Sequence, residues 1–196
     1  MGLLRSHSLP TGTLLISGLI ALFGEPGRLA LRYERAAIGD GEIWRLLSAH
    51  FTHLGWSHLL LNGAGLVLVW YLVGRDFKIG QWLIILLVSV AGIDLGFWFL
   101  DPNLSWYVGM SGLLHGLLAA GILVGIQEGR TEILILGGLV LAKLLFEQFV
   151  GPLPGSEASS GGTVIVDAHL YGAMAGLLAA AIMRRHEKNN NQRSEN

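Results

Sequence analysis

Cysteine is absent from this chain, which excludes disulfides, thiolate catalysis and thiolate metal sites together. Any hydrolytic nucleophile is therefore a hydroxyl or an activated water. Charge is scarce as well. Only 14% of the 196 residues are charged and 52% are hydrophobic, whereas an average soluble domain has about 25% charged residues. The net formal charge of −1 offers no basic field for a nucleic-acid partner. The histidines His50, His53, His58 and His169 lack the His-x-x-x-His spacing of helical zinc ligands, so no metal and no cofactor is expected. No repeat of broken helices, the mark of many transporters, is evident.

What the chain has in plenty is apolar runs. A spanning helix needs roughly 20 such residues, and six segments qualify or nearly so: Leu9–Phe23, His58–Val73, Ile79–Leu100, Met110–Ile126, Glu132–Val150 and Val164–Met183. The reading is an all-α membrane protein, one six-helix domain over residues 1–183 with the lipid bilayer as solvent. The second and fourth spans are short, which suits helices that stop below the membrane surface and admit water. Residues 184–196 are charged and Asn-rich and are expected to be a disordered tail. Met1 to Phe23 has one arginine and no clear small-residue cleavage site, which favours a retained first helix, with Pro10 in its first turn.

The connections are unequal. Gly74–Lys78 and Gln127–Thr131 are tight polar turns, and Gly151–Gly162, rich in Gly, Pro and Ser, reads as a mobile loop. The long segment Gly24–Ser48 has an amphipathic piece near Leu29–Ile38 and then Glu42-Ile43-Trp44-Arg45. Basic residues assign the sides. With both termini inside, eight (Arg5, Arg75, Lys78, Arg130, Arg184, Arg185, Lys188 and Arg193) face inward, and four (Arg28, Arg32, Arg35 and Arg45) face outward. The starts of the fourth and sixth spans then face outward.

Polar groups inside spans are costly and usually functional. Lys143 and Glu147, four apart on one span, read as a structural ion pair. Asp94 has no partner evident in the sequence and reads as a structural hydrogen bond. Ser111 sits in Gly109-Met110-Ser111-Gly112, between glycines that allow close approach, at a helix start whose free N–H groups and dipole suit an anion. Read alone, such a serine is more often packing than nucleophile. His169 supplies a base. Gly172 and Gly176 follow it, facing Gly112, Gly116 and Ala120 of the fourth span, and such small-residue faces let helices pack closely. His115, one turn from Ser111, is a rival base or a residue packing against His169. Asp167 is a possible orienter for His169, although two residues away on a helix it points elsewhere. His58 and Asn62, four apart, share one helix face as possible oxyanion donors or as interhelical hydrogen-bond partners.

Taken together, Gly109-Met110-Ser111-Gly112, Ala168-His169-x-x-Gly172-x-x-x-Gly176, His53-x-x-x-x-His58-x-x-x-Asn62 and Trp44-Arg45 resemble the signature of the rhomboid intramembrane serine proteases. The resemblance implies a six-helix bundle with a Ser111–His169 dyad and an oxyanion hole of His58, Asn62 and the Ser111 amide. Gly109, Gly112, His53 and His115 are in supporting positions. The family commonly has tyrosine where this chain has His115. Gly-Met-Ser-Gly-Leu-Leu-His-Gly in a compact chain is similar to the rhombosortase branch of Gram-negative bacteria. That branch implies membrane-anchored, exported protein substrates bearing a C-terminal Gly-Gly motif and a hydrophobic helix. It also implies a place in the bacterial inner membrane, with cytoplasmic termini and an active site opening to the periplasm. General transmembrane substrates, or a non-catalytic relative that binds clients, are the alternatives.

Overall fold

The structure is a computed structural model. It describes residues 8–185 apart from the Asp76 side chain, with the outermost helices bounded at Gly2 and Glu195. Among the described residues the chain is helical almost throughout: α1 (Gly2–Leu22), α2 (Gly24–Leu31), α3 (Arg35–Gly39), α4 (Arg45–Ser48), α5 (Trp56–Leu72), α6 (Ile79–Phe99), α7 (Ser111–Gln127), α8 (Glu132–Phe149), α9 (Ser156–Ser160) and α10 (Val166–Glu195). Two dipeptides, β1 (Tyr33–Glu34) and β2 (Trp106–Tyr107), pair antiparallel with Tyr33 opposite Tyr107 and Glu34 opposite Trp106.

The six apolar segments fall on α1, α5, α6, α7, α8 and α10: α5 to α8 match theirs within two residues at each end, while the bounds of α1 and α10 extend well beyond theirs. At α6 the Gln81 side chain accepts the Lys78 backbone N–H at 2.8 Å, filling one of the bonds a helix start leaves open. At the end of α7, Gly129 takes φ 76 and the Arg130 N–H returns to the Gly125 carbonyl at 3.0 Å, a left-handed glycine cap. Pro10 lies inside α1, and the residues before Ser8 that decide whether it falls in the first turn lie outside the described residues. The expected disordered tail falls mostly on residues 186–196, outside the described residues; Arg184 and Arg185 continue α10.

By length and composition, α6 and α10 are each able to cross a membrane. Residues 8–22 of α1 with α2 would make a third span if the pair, bent by 116°, counts as one. The apolar helices α5 and α7 are shorter, at 17 residues each.

α7 is the centre of the bundle. Leu113, Leu117, Ala119, Ala120 and Ile122 are all buried, and α5, α6, α8 and α10 surround it. A helix apolar on every side belongs in such a place. Its contact with α10 is made backbone to backbone. A methyl group added at Gly112 would come within 2.8 Å of the Ala168 carbonyl oxygen, and one at Gly116 within 2.9 Å of the Gly172 oxygen. From the other side, methyls at Gly172 and Gly176 would run into the Gly112 and Gly116 carbonyl oxygens. The stripes of small residues thus mesh in register, as membrane helices do when packing, not water, must hold them together.

The segment between α1 and α5 is pinned to the end of α6. The Arg35 guanidinium donates to the carbonyls of Leu104 (3.2 Å), Asp101 (2.9 Å), Trp98 and Phe97, the last two being among the carbonyls that the end of α6 leaves without intrahelical partners. Arg45 is buried, pairs with Glu42 at 2.6 Å and donates to the Leu29 and Arg32 carbonyls at 2.8 and 2.9 Å. The region expected to be a loop between α8 and α10 contains the one-turn helix α9, flanked by Gly155 and Gly161 at φ 82 and 80 and tied by Ser159 Oγ donating to the Gly155 carbonyl at 2.8 Å.

Gly172→Ala is expected to lower stability by about 1–3 kcal/mol, the usual cost of overpacking a tight contact. Gly138→Ala, on α8 with open space around it, is expected to raise stability by about 0.4–1 kcal/mol. Thermal unfolding of both variants in detergent micelles checks the contrast. Equal tolerance at the two positions would mean that α7 and α10 do not meet through their glycines.

Candidate active site

Ser111 opens α7, and the chain reaches it through a locally determined turn. Gly109 has φ 131, a conformation side chains rarely adopt, and a methyl there would come within 2.9 Å of His58 Cε1. The Gly109 N–H donates to the Ala49 carbonyl at 3.1 Å, and its own carbonyl accepts the Tyr107 hydroxyl at 2.7 Å. Tyr107 is held in turn by the β1–β2 ladder and by the His50 and Phe97 rings. The residues before Ser111 are thereby set from three directions.

His169 stands in the first turn of α10, 5% exposed. Meshing of the glycine stripes brings its Nε2 to 3.0 Å from Ser111 Oγ. On the far side of the ring, Nδ1 lies 2.9 Å from Glu147 Oε2. Lys143 Nζ also lies 3.4 Å from Nδ1, but it bonds the same Glu147 oxygen at 2.7 Å. The shorter contact is with an acceptor-only carboxylate, so Nδ1 carries the proton and Nε2 offers its lone pair to the serine hydroxyl.

His115 stacks on His169, with ring centroids 4.2 Å apart and planes 21° from parallel. Its Nδ1–H donates to the Ser111 carbonyl at 2.7 Å, and its Nε2 accepts from Lys143 Nζ at 3.0 Å. Both nitrogens are engaged, neither with Ser111 Oγ, so the geometry favours the packing alternative for His115 over the rival base. Asp167, the other possible orienter, accepts from Gln148 Nε2 at 3.3 Å, and the Nδ1 contact is made by Glu147 instead. His115, Glu147 and His169 present ligand-type atoms within 4.8 Å of one another. The cation among them is the Lys143 ammonium.

His58 and Asn62 line the same cavity as Ser111 and His169, a space of ≈ 490 Å³ at the starts of α5, α7 and α10. The Leu54 backbone N–H donates to His58 Nδ1 at 3.3 Å, leaving Nε2 as the protonated nitrogen on the side of Gly109. Asn62 Nδ2 is buried with no partner among the described residues. A donor kept buried and unpaired costs about 1–3 kcal/mol. His53 lies outside this cavity, edge-to-face against His58 at 5.0 Å. Asp94 meets His50, Nε2 to Oδ1 at 3.4 Å, in the buried layer behind Tyr107.

The sequence pointed to Ser111, His169, His58 and Asn62, and the structure brings all four to one cavity. It did not single out Glu147 or Tyr107 for the site. Lys143, four residues away, accounted for Glu147 locally, and the pair does form. Nothing in sequence spacing revealed that the same carboxylate also meets His169. The α9 segment, through Ser156, Ser159 and Ser160, adds a polar wall to the cavity.

A family model described as the Rhomboid domain matches residues 40–186. The chain belongs to the rhomboid family. Its matched rhomboid region contains every residue of the cavity described above. Similar proteins include the "Rhomboid protease GluP" of Bacillus subtilis, 27% identical over 150 residues (76% of this chain and 28% of the relative). The "Rhomboid protease GlpG" of Klebsiella pneumoniae is 27% identical over 146 residues (74% and 50%). The "Rhomboid-like protein 11, chloroplastic" of Arabidopsis thaliana is 29% identical over 151 residues (72% and 53%). The matched region spans about half of these relatives or less.

Asn62→Leu is expected to leave the thermal unfolding temperature in micelles unchanged or raised, because the amide donor it removes is already unpartnered. A fall of many degrees would show a structural partner for Asn62. Gly109→Ala is expected to destabilise by about 1 kcal/mol or more, from the positive φ alone, in the same measurement.

Proposed function

We propose that this chain is a rhomboid-type intramembrane serine endopeptidase of the rhombosortase branch. The observation that carries the protease reading is the 3.0 Å contact between Ser111 Oγ and His169 Nε2, a nucleophile and base within hydrogen-bond reach. In the reaction, Ser111 Oγ attacks a substrate carbonyl carbon while His169 Nε2 takes its proton. The carbonyl oxygen becomes an oxyanion facing His58 Nε2–H, Asn62 Nδ2–H and the Ser111 backbone N–H, which as a first-turn amide has no intrahelical acceptor. Each such donor contributes roughly 3–4 kcal/mol where it has been measured in other enzymes. Collapse of the tetrahedral intermediate breaks the peptide C–N bond, and His169 returns the proton to the leaving amine. Water, or another nucleophile in a sorting reaction, then releases the acyl group from Ser111.

The branch reading is supported by Gly-Met-Ser-Gly-Leu-Leu-His-Gly and by His115 stacked at 4.2 Å where a tyrosine is usual. Its substrates would be membrane-anchored exported proteins with a C-terminal Gly-Gly motif and hydrophobic helix. Glycines at the cut would let the substrate leave its helix and enter the cavity extended. The proposed setting is a bacterial inner membrane crossed by α1, α5, α6, α7, α8 and α10, with termini in the cytoplasm and the cavity open to the periplasm. The asymmetry of basic residues supports that orientation.

The test is labelling with a fluorophosphonate reporter, together with cleavage of a Gly-Gly-tailed membrane substrate in reconstituted vesicles. Wild type is expected to be labelled and active, and Ser111→Ala neither. Cleavage by Ser111→Ala would refute the serine mechanism. Equal cleavage of substrates with and without the Gly-Gly motif would refute the branch assignment and favour general transmembrane substrates. A chain that takes no label in its folded form would be a client-binding relative. Mass spectrometry of the cleaved substrate locates the new C-terminus.

A further inference from the structure

α8 turns most of its side chains outward. Its buried residues are Ile133, Leu144 and Glu147, while Ile135, Leu139, Leu141 and Phe149 are exposed. One of the three buried residues is thus a carboxylate, 3% exposed, on a helix whose apolar residues face outward. A structural ion pair with Lys143 needs no such burial, since two groups one turn apart pair equally well at a helix surface. Burial is explained by the second contact of the same oxygen, at 2.9 Å from His169 Nδ1.

We propose that Glu147 is a positioning residue for His169, so that the reacting unit is Ser111–His169–Glu147 and not a two-residue dyad. The inference rests on the protease reading above. An imidazole without a partner on Nδ1 is free to take either tautomer, and only the Nδ1–H form leaves Nε2 able to accept the serine proton. The Glu147 carboxylate, which only accepts, selects that form. It also faces the imidazolium that arises when Nε2 takes the proton, at a site where little water screens the attraction. His115, stacked on the other side, limits tilting of the ring. Lys143 holds the carboxylate in place and balances its charge, at 2.7 Å, and its bond to His115 Nε2 ties the stacking ring to the same anchor. The acid comes from α8 and the base from α10, so the unit is complete only with the two helices packed together.

The test separates positioning from a merely structural pair. For Glu147→Gln, kcat and the fluorophosphonate labelling rate are expected to fall by about 100-fold or more, with KM changed little. The loss of an orienting acid elsewhere costs on the order of 10⁴-fold in kcat. Glu147→Asp is expected to recover part of the loss. The double variant Lys143→Met with Glu147→Gln leaves no unpaired charge, so a structural pair would be rescued by it. It is expected to unfold at the wild-type temperature and yet stay slow. Labelling and kcat within about threefold of wild type in the folded double variant would overturn the inference while leaving the serine protease reading intact, provided Ser111→Ala remains dead. Failure of the protease reading shows separately, as activity in Ser111→Ala. Nitrogen-15 NMR of histidine-labelled wild type decides the matter even if the variants do not fold: a neutral His169 protonated on Nδ1 is expected, and one protonated on Nε2 overturns the proposal.

Discussion

Everything in the site depends on how closely α7 and α10 approach. Gly112 and Gly116 meet Gly172 and Gly176 through their backbones, with no room for a methyl at any of the four. A serine side chain is short, and a histidine one turn into a neighbouring helix reaches it only if the axes are close. In a bilayer, apolar side chains gain little by leaving lipid for one another, so intimate packing must supply the association. The residues that bring the helices together and those that permit the chemistry are therefore neighbours in sequence: Gly112 follows Ser111, and Gly172 lies three after His169.

Around that contact the polar groups form a chain: Ser111 Oγ, the His169 ring, Glu147, Lys143, His115 and back to the Ser111 carbonyl. Each buried polar atom in this ring has a partner, which is the condition for such a network to rigidify instead of weakening its surroundings. The opposite holds across the cavity. Asn62 Nδ2 is left without a partner among the described residues, and His58 has one nitrogen engaged and the other turned towards the cavity side. A fully bonded imidazole on one side and underused donors on the other is the contrast on which the proposed oxyanion site rests. The same contrast explains why stability and proposed activity pull differently on the two sides of the cavity.

Much of the fold was legible in the sequence because its signals are periodic and local. Runs of apolar residues placed α5, α6, α7 and α8 within two residues at each end, and the small-residue spacings anticipated the α7–α10 seam. The pairing of His50 with Asp94 was not legible, since 44 residues separate them. Nor was α9, hidden in a segment whose glycines and serines read as loop until Gly155 and Gly161 were seen to bracket a turn. The β1–β2 contact, two residues a side, is too short to leave any pattern.

For the site, residue type and helical spacing made Ser111, His169, His58 and Asn62 candidates, and the resemblance to the rhomboid signature joined them into one set. The sequence by itself also determined that no thiol takes part. The tertiary structure decided the relations between helices: which nitrogen of His169 faces the serine, that His115 stacks and does not accept from Ser111 Oγ, and that Glu147 contacts His169 as well as Lys143. Spacing along one helix is a covalent fact, readable from the chain. Which side chain from α8 meets which ring from α10 depends on the rotation and depth at which the two pack, and only the packed bundle sets those.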